Sequence, residues 1–164
     1  MFARDNTTYE PVDRPDRLDY SAERSLHHRM KQRHTVRDFA DRSVSKEVIE
    51  ACIRTAGTAP SGTNHQPWHF VTISNLAMKR RIRDAAEEEE RHFYGGGASS
   101  EWLKALEPIG TSDNKSHLEE APWLIVVFAQ RWGQFDDGTR LKNYYVPEST
   151  GIACGFLLAV SHHP

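Results

Sequence analysis

The stretch Thr58-Ala59-Pro60-Ser61-Gly62-Thr63-Asn64-His65-Gln66-Pro67-Trp68 separates two segments of opposite periodicity. Before it, Val48, Ile49, Cys52, Ile53 and Ala56 recur at three- and four-residue spacing, the apolar stripe of a helix. Ser45 is placed to cap the start of that helix, and Gly57 lies where it should stop. After the stretch, Trp68 to Ile73 reads as a strand. The loop itself is rich in Pro, Gly, Ser and Asn, with backbone N–H groups unobstructed at Gly62. Loops at strand boundaries are common ligand sites, although a plain connection is the competing explanation.

Outward toward the N-terminus, Ser21 to Gln32 suits a short helix with Leu26 and Met30 on one face. Arg33-His34-Thr35-Val36-Arg37 then leaves it as an extended segment. Two guanidinium groups at the ends of a pentad, with a hydroxyl between, can fork onto a phosphate or a carbonyl-rich heterocycle. A solvated basic patch is the blander possibility. Residues 1–20 are polar, carry Pro11 and Pro15, and read as an extended arm.

Outward in the other direction, Asn75 should cap a helix over about 76–94, ended by Gly95-Gly96-Gly97. A short helix follows near Ser100 to Leu106, then a polar linker through Asp113. Trp123-Leu124-Ile125-Val126-Val127-Phe128-Ala129 is a continuous apolar run, the pattern of a buried central strand. Gly133 to Gly138 reads as a turn, and Pro147 suits the first turn of a helix running to about Ser161. Gly151, Gly155 and Ala159 form a row of small residues there, which predicts close packing against another element. Two convincing strands are few for a sheet, so the pattern reads as the front part of a longer fold.

Glu90 and Tyr94 stand four residues apart on the helix over 76–94, hence on one face. Lys115 could bring a cation to the same place. Carboxylate, phenol and ammonium together suit a zwitterion, although four consecutive glutamates from Glu87 to Glu90 usually mark a solvated face. Other chemistries find little support. Walker and G-x-G-x-x-G loops are absent, as is a G-x-S-x-G elbow. His65 and His69 flank Pro67, which precludes a shared helix, and no cysteine or carboxylate completes a metal set.

Composition fits these readings. The 164 residues allow one domain, and 38% hydrophobic with 27% charged residues is globular. A net charge of -2 argues against nucleic acid as partner. Apolar runs fall short of the ~20 residues of a membrane helix, and the N-terminus has no apolar signal segment. Cys52 and Cys154 sit in apolar segments, as buried thiols of a reducing, cytoplasmic protein would.

Four of these segments together resemble the nitroreductase superfamily of flavoproteins, in its iodotyrosine deiodinase branch. They are Arg33 to Arg37, Thr58 to Gly62 with Pro67-Trp68, the acidic helix from Glu87 to Tyr94, and Gly151-Ile152-Ala153-Cys154-Gly155. The similarity runs from about Met30 to Ala159. It implies an α+β fold, a nitroreductase-like mixed sheet flanked by helices, occupying residues 21–164 with FMN at a homodimer interface. By the same resemblance, Arg33, His34, Thr35, Val36 and Arg37 bind FMN, as do Ser61 and Gly62. His34 stands where relatives commonly carry a second arginine. Thr63 takes the catalytic position whose backbone N–H holds the substrate phenolate, and Glu90, Tyr94 and Lys115 match the substrate clamp on a halotyrosine zwitterion.

The implied reaction is reductive dehalogenation. The electrons would come from a reduced pyridine nucleotide or a reductase. Relatives continue past Ala159 with further strands, a hydroxyl donor near the flavin, another FMN-contacting arginine and an arm around the partner subunit, a part this chain is expected to lack. Two enzymatic alternatives stay open, a generic nitroreductase and a flavin-cleaving, benzimidazole-forming relative. A third is an inactive, shortened protein that binds flavin or tyrosine-like ligands.

Overall fold

A computed structural model describes residues 21–40, 42–134 and 137–162; the expected arm over residues 1–20 lies outside them. The described residues divide into two compact units, one ending at Arg33 and the other beginning at His34. In the first, α1 (Ser21–Gln32) forms as its sequence predicts, and Arg33 N–H closes its end on the Met30 carbonyl. Leu26, on its apolar stripe, is exposed.

The second unit begins with a segment of no regular secondary structure through Arg37 and reaches α2 (Lys46–Gly57). Ser45 holds the N-cap position with extended backbone, but its hydroxyl does not bond the helix N–H groups. The stripe of α2 is covered only in part: Cys52 and Ala56 are buried, whereas Val48 is exposed. A loop with a 3₁₀ turn at Gly62–Asn64 leads to β1 (Trp68–Ile73). Next comes α3 (Leu76–His92), whose first turn is capped as expected, the Asn75 Oδ1 accepting from Met78 N–H at 3.0 Å. The helix stops two residues short of Tyr94 and widens into a π turn over Phe93–Gly97. Glycine permits that turn: a Cβ on Gly97 would stand 2.9 Å from the His92 carbonyl oxygen, and Gly96 has φ +132°.

The chain continues through α4 (Ser100–Leu106), a 3₁₀ turn at Glu107–Ile109 and the short α5 (His117–Glu120). β2 (Leu124–Ala129) pairs antiparallel with β1, from Trp68 opposite Ala129 to Ile73 opposite Leu124. The buried central strand read from its continuous apolar run is not what the chain builds. Among the described residues β2 has one paired edge, its side chains are half-buried, and Phe128 is exposed.

The turn expected over Gly133 to Gly138 is instead part of a hairpin, β3 (Trp132–Gln134) with β4 (Arg140–Lys142). Asp137 Oδ1 accepts from Thr139 N–H at 2.8 Å, and Gly138 takes φ +86°. Asp-Gly is a hairpin signal, so the second strand pair was legible at that dipeptide. The Arg140 guanidinium lies 4.9 Å from the centre of the Trp132 ring and adds a cation–π contact across the pair.

Finally, α6 (Val146–Ser161) starts with Pro147 in its first turn, as its sequence predicts. Val146, Ser149 and Ala153 form its buried side, and the helix packs against α2, β1 and β2. The row of small residues was expected to be closely packed. Within this chain it is not, because a Cβ on Gly151 or Gly155 would meet nothing within 4 Å. Small side chains and one proline (Ala56, Ala59, Pro67, Ala121, Ala153) fill the core at the α2–α6 contact and the loop ends. Among the described residues, no helix is long and apolar enough to cross a membrane.

Among the described residues the architecture is of the α+β class, with helices and two small antiparallel sheets.

Candidate active site

Two groups of residues define the site, a strained loop and a charged clamp. In the loop, Thr63, Asn64 and Gln66 take φ of 49°, 54° and 49°. Three non-glycine residues in the left-handed region within four positions are uncommon, and such backbone persists only where its surroundings enforce it. The enforcement comes from α6 and from the loop itself. Gly62 N–H donates to the Ser149 hydroxyl at 3.2 Å, and Gln66 N–H donates to the Ser61 hydroxyl at 2.9 Å. Gly62 is tightly enclosed, since an added Cβ would lie 2.8 Å from the Tyr145 ring and 3.3 Å from the Tyr144 carbonyl oxygen.

That geometry leaves Thr63 exposed at the crest of the turn. None of the described hydrogen bonds uses its N–H, whereas those of Gly62, Asn64, His65 and Gln66 are taken. The same loop carries a buried His65 Nδ1 with no partner among the described residues. Buried polar atoms are normally satisfied, so this nitrogen is an exception within the loop.

The structure brings Glu90, Tyr94 and Lys115 together, although by a different local route from one shared helix face. Glu90 lies on α3 and Tyr94 on the π turn that follows it. The Lys115 ammonium pairs with Glu90 Oε2 at 3.2 Å and donates to the Ser112 carbonyl at 2.8 Å. The Tyr94 hydroxyl bonds Thr111 Oγ1 at 2.8 Å. These residues surround a cavity of about 370 Å³, which Arg37, Phe93, Trp102 and Leu106 also line. Phe93 meets both Tyr94 and Trp102 edge to face, each with ring centroids 5.3 Å apart. An aromatic wall beside the Glu90–Lys115 ion pair suits an amino acid with an aromatic side chain.

The pentad spans the boundary between the two units. Arg33 closes α1 in the first unit. His34, Thr35, Val36 and Arg37 have no regular secondary structure and are exposed, and Arg37 lines the clamp cavity. Below the cavity, the Arg83 guanidinium and the Lys115 N–H hold the Glu87 carboxyl below the usual carboxylate range. Burial, then the charges of Lys115 and Arg37, push the His117 imidazole down.

Thr111, Trp102 and Glu87 are the site residues that sequence reasoning missed. Thr111 lies in a polar linker without periodicity, so no local signal marked it. Glu87 did carry one, because it stands three residues before Glu90 and shares its face, while Glu88 and Glu89 point to solvent.

Comparison with known proteins bears on all of these residues. The Nitroreductase family model matches residues 30–162. An iodotyrosine deiodinase of Haliscomenobacter hydrossis is 53% identical over 133 residues, which are 81% of this chain and 60% of that protein. An iodotyrosine deiodinase of Daphnia pulex is 43% identical over 151 residues, 92% of this chain and 50% of that protein. The chain thus spans 50–60% of the length of these two relatives. Among solved structures, oxidized iodotyrosine deiodinase bound to FMN and 3-iodo-L-tyrosine superposes with a TM-score of 0.71 at 29% identity. The match covers 84% of this chain and 68% of that one.

Proposed function

This chain belongs to the nitroreductase family, and on that premise we propose that residues 21–164 form the flavoprotein domain of an FMN-dependent halotyrosine dehalogenase. The observation that carries the reading is the cavity in which Glu90 and Lys115 pair at 3.2 Å beside Tyr94. A zwitterion can replace that pair charge for charge: its ammonium meets Glu90 and its carboxylate meets Lys115 and the Tyr94 hydroxyl. A ligand with only one of the two charges leaves one clamp residue half-buried without its counter-ion, which is costly. Selection for an amino acid is therefore built into the resting pair.

The residues fit FMN. Within the second unit, Thr35 and Arg37 of the pentad, with His34 and the Val36 backbone, are suited by residue type to its phosphate and polar ring edge. Ser61 and Gly62 offer a hydroxyl and a close backbone approach. FMN held there and reduced by the electron donor would supply the electron pair which, with a proton, replaces halogen by hydrogen and releases halide. The chain's own part is to bind and orient. The exposed N–H of Thr63 donates to the phenolate oxygen and favours the ionised phenol, and the clamp holds the far end of the substrate. Fixing both ends sets the ring at one position, so remote binding supplies orientation.

The fuller assembly is also a proposal. The open face of α6, with Gly151, Ile152, Gly155 and Phe156 exposed, suits a second copy of the chain. A reduced pyridine nucleotide or a reductase would supply electrons. Two free thiols, Cys52 and Cys154, suit a reducing, cytoplasmic setting. The test is Glu90→Gln in the FMN-loaded protein, followed by halotyrosine titration against flavin fluorescence. Halotyrosine affinity should fall at least tenfold with FMN retained; unchanged affinity overturns the reading.

A further inference from the structure

We infer that Glu87 is a positioning residue of the clamp, which fixes the backbone of Lys115 so that its ammonium reaches Glu90. The inference rests on the clamp reading above and names what holds the clamp in shape. Glu87 Oε1 accepts from Lys115 N–H at 2.9 Å across 28 residues of chain. The same oxygen accepts from Arg83 Nε at 2.7 Å. Arg83 in turn donates through Nη1 to Glu119 Oε2 at 3.2 Å, and Arg80 Nε holds the other Glu119 oxygen at 2.7 Å.

An unbroken run of charge-assisted bonds therefore ties α3 to α5 and to the clamp lysine. Lys115 is pinned on its other side too, since its carbonyl accepts from Leu118 N–H at 2.9 Å. With both peptide groups fixed, the side chain has one origin from which to reach Glu90. The residues between Gly110 and Ser116 form no regular secondary structure. Without Glu87, the Lys115 N–H would lose its bond to the helix opposite. An ordinary i,i+4 pair of Glu87 with Arg83 would stabilise α3 alone; the bond to Lys115 is what links the pair to the site.

Amide hydrogen exchange on the full chain tests this directly. Glu87→Ala should speed exchange at Lys115 about tenfold or more, with the β1–β2 amides still protected as evidence of an intact fold. Glu87→Gln keeps an oxygen acceptor and should restore most of the protection. In the FMN-loaded protein, Glu87→Ala should weaken halotyrosine binding about tenfold. The Glu87→Ala, Lys115→Ala double variant should bind no more weakly than Lys115→Ala alone. Unchanged exchange at Lys115 overturns the inference, as do additive losses in the double variant. If Lys115→Ala itself leaves binding unchanged, the clamp reading fails; faster exchange in Glu87→Ala would then show Glu87 to be structural only.

Discussion

Gly62 shows how one side chain can decide a site. Its hydrogen atom faces the Tyr145 ring, and a Cβ would lie 2.8 Å from that ring and 3.3 Å from a backbone oxygen. The loop cannot retreat, because Gly62 N–H is bonded to Ser149, itself buried in α6. Gly62→Ala should therefore cost about 1–3 kcal/mol by overpacking, read as a lower midpoint in denaturant unfolding. An unchanged midpoint would mean that Tyr145 moves aside freely. Glycine at this position was legible as a permissive backbone, but its neighbour was not: Tyr144 and Tyr145 lie more than 80 residues away in the chain. Glu87 gives the same lesson for charge. Its place in the helix face could be read from spacing, whereas its partner Lys115 became visible only with the fold.

At the level of the elements, α5 is too short to stand alone. A helix of four residues leaves most of its carbonyls without internal partners. Lys79 on α3 supplies them: its ammonium is buried and donates to the carbonyls of Glu119 and Ala121, both at 2.8 Å. Lys79→Met keeps the aliphatic length and removes both donors. It should cost about 1–3 kcal/mol and loosen α5, measured as faster amide exchange over 117–121. No change would mean that water replaces the lysine.

Neither α5 nor this lysine was anticipated, since His117 to Glu120 is shorter than any period that marks a helix. The long helices were anticipated, because a stripe, an Asn75 cap and an early Pro147 are local statements. Burial was the weaker inference. The apolar run of β2 and the small-residue row of α6 state what could be covered, and the cover must come from another surface.

Across the whole molecule, the charge pattern sets a direction for pH dependence. Glu87 and Glu119 are held below the usual carboxylate range, first by the Arg83 and Arg80 guanidinium groups respectively. His117 is held below the ordinary imidazole value, first by burial. In all three cases the unfolded chain binds protons more readily than the folded one, so acid favours unfolding. Stability should be full above about pH 6.5, decline first as His117 charges in the unfolded state, and decline again below about pH 4.5. Thermal midpoints measured between pH 8 and pH 3 check this; a midpoint that rises on acidification contradicts the ion-pair assignments.

The sequence by itself determined every helix but α5, the two long strands, the family and the residue types of the clamp, because capping, periodicity and motif chemistry act over a few neighbours. Only the tertiary structure decided that Ser149 and Tyr145 hold Gly62, and that Glu87 and Arg83 anchor Lys115. Those facts depend on contacts between residues distant in the chain, and no local energy term carries them.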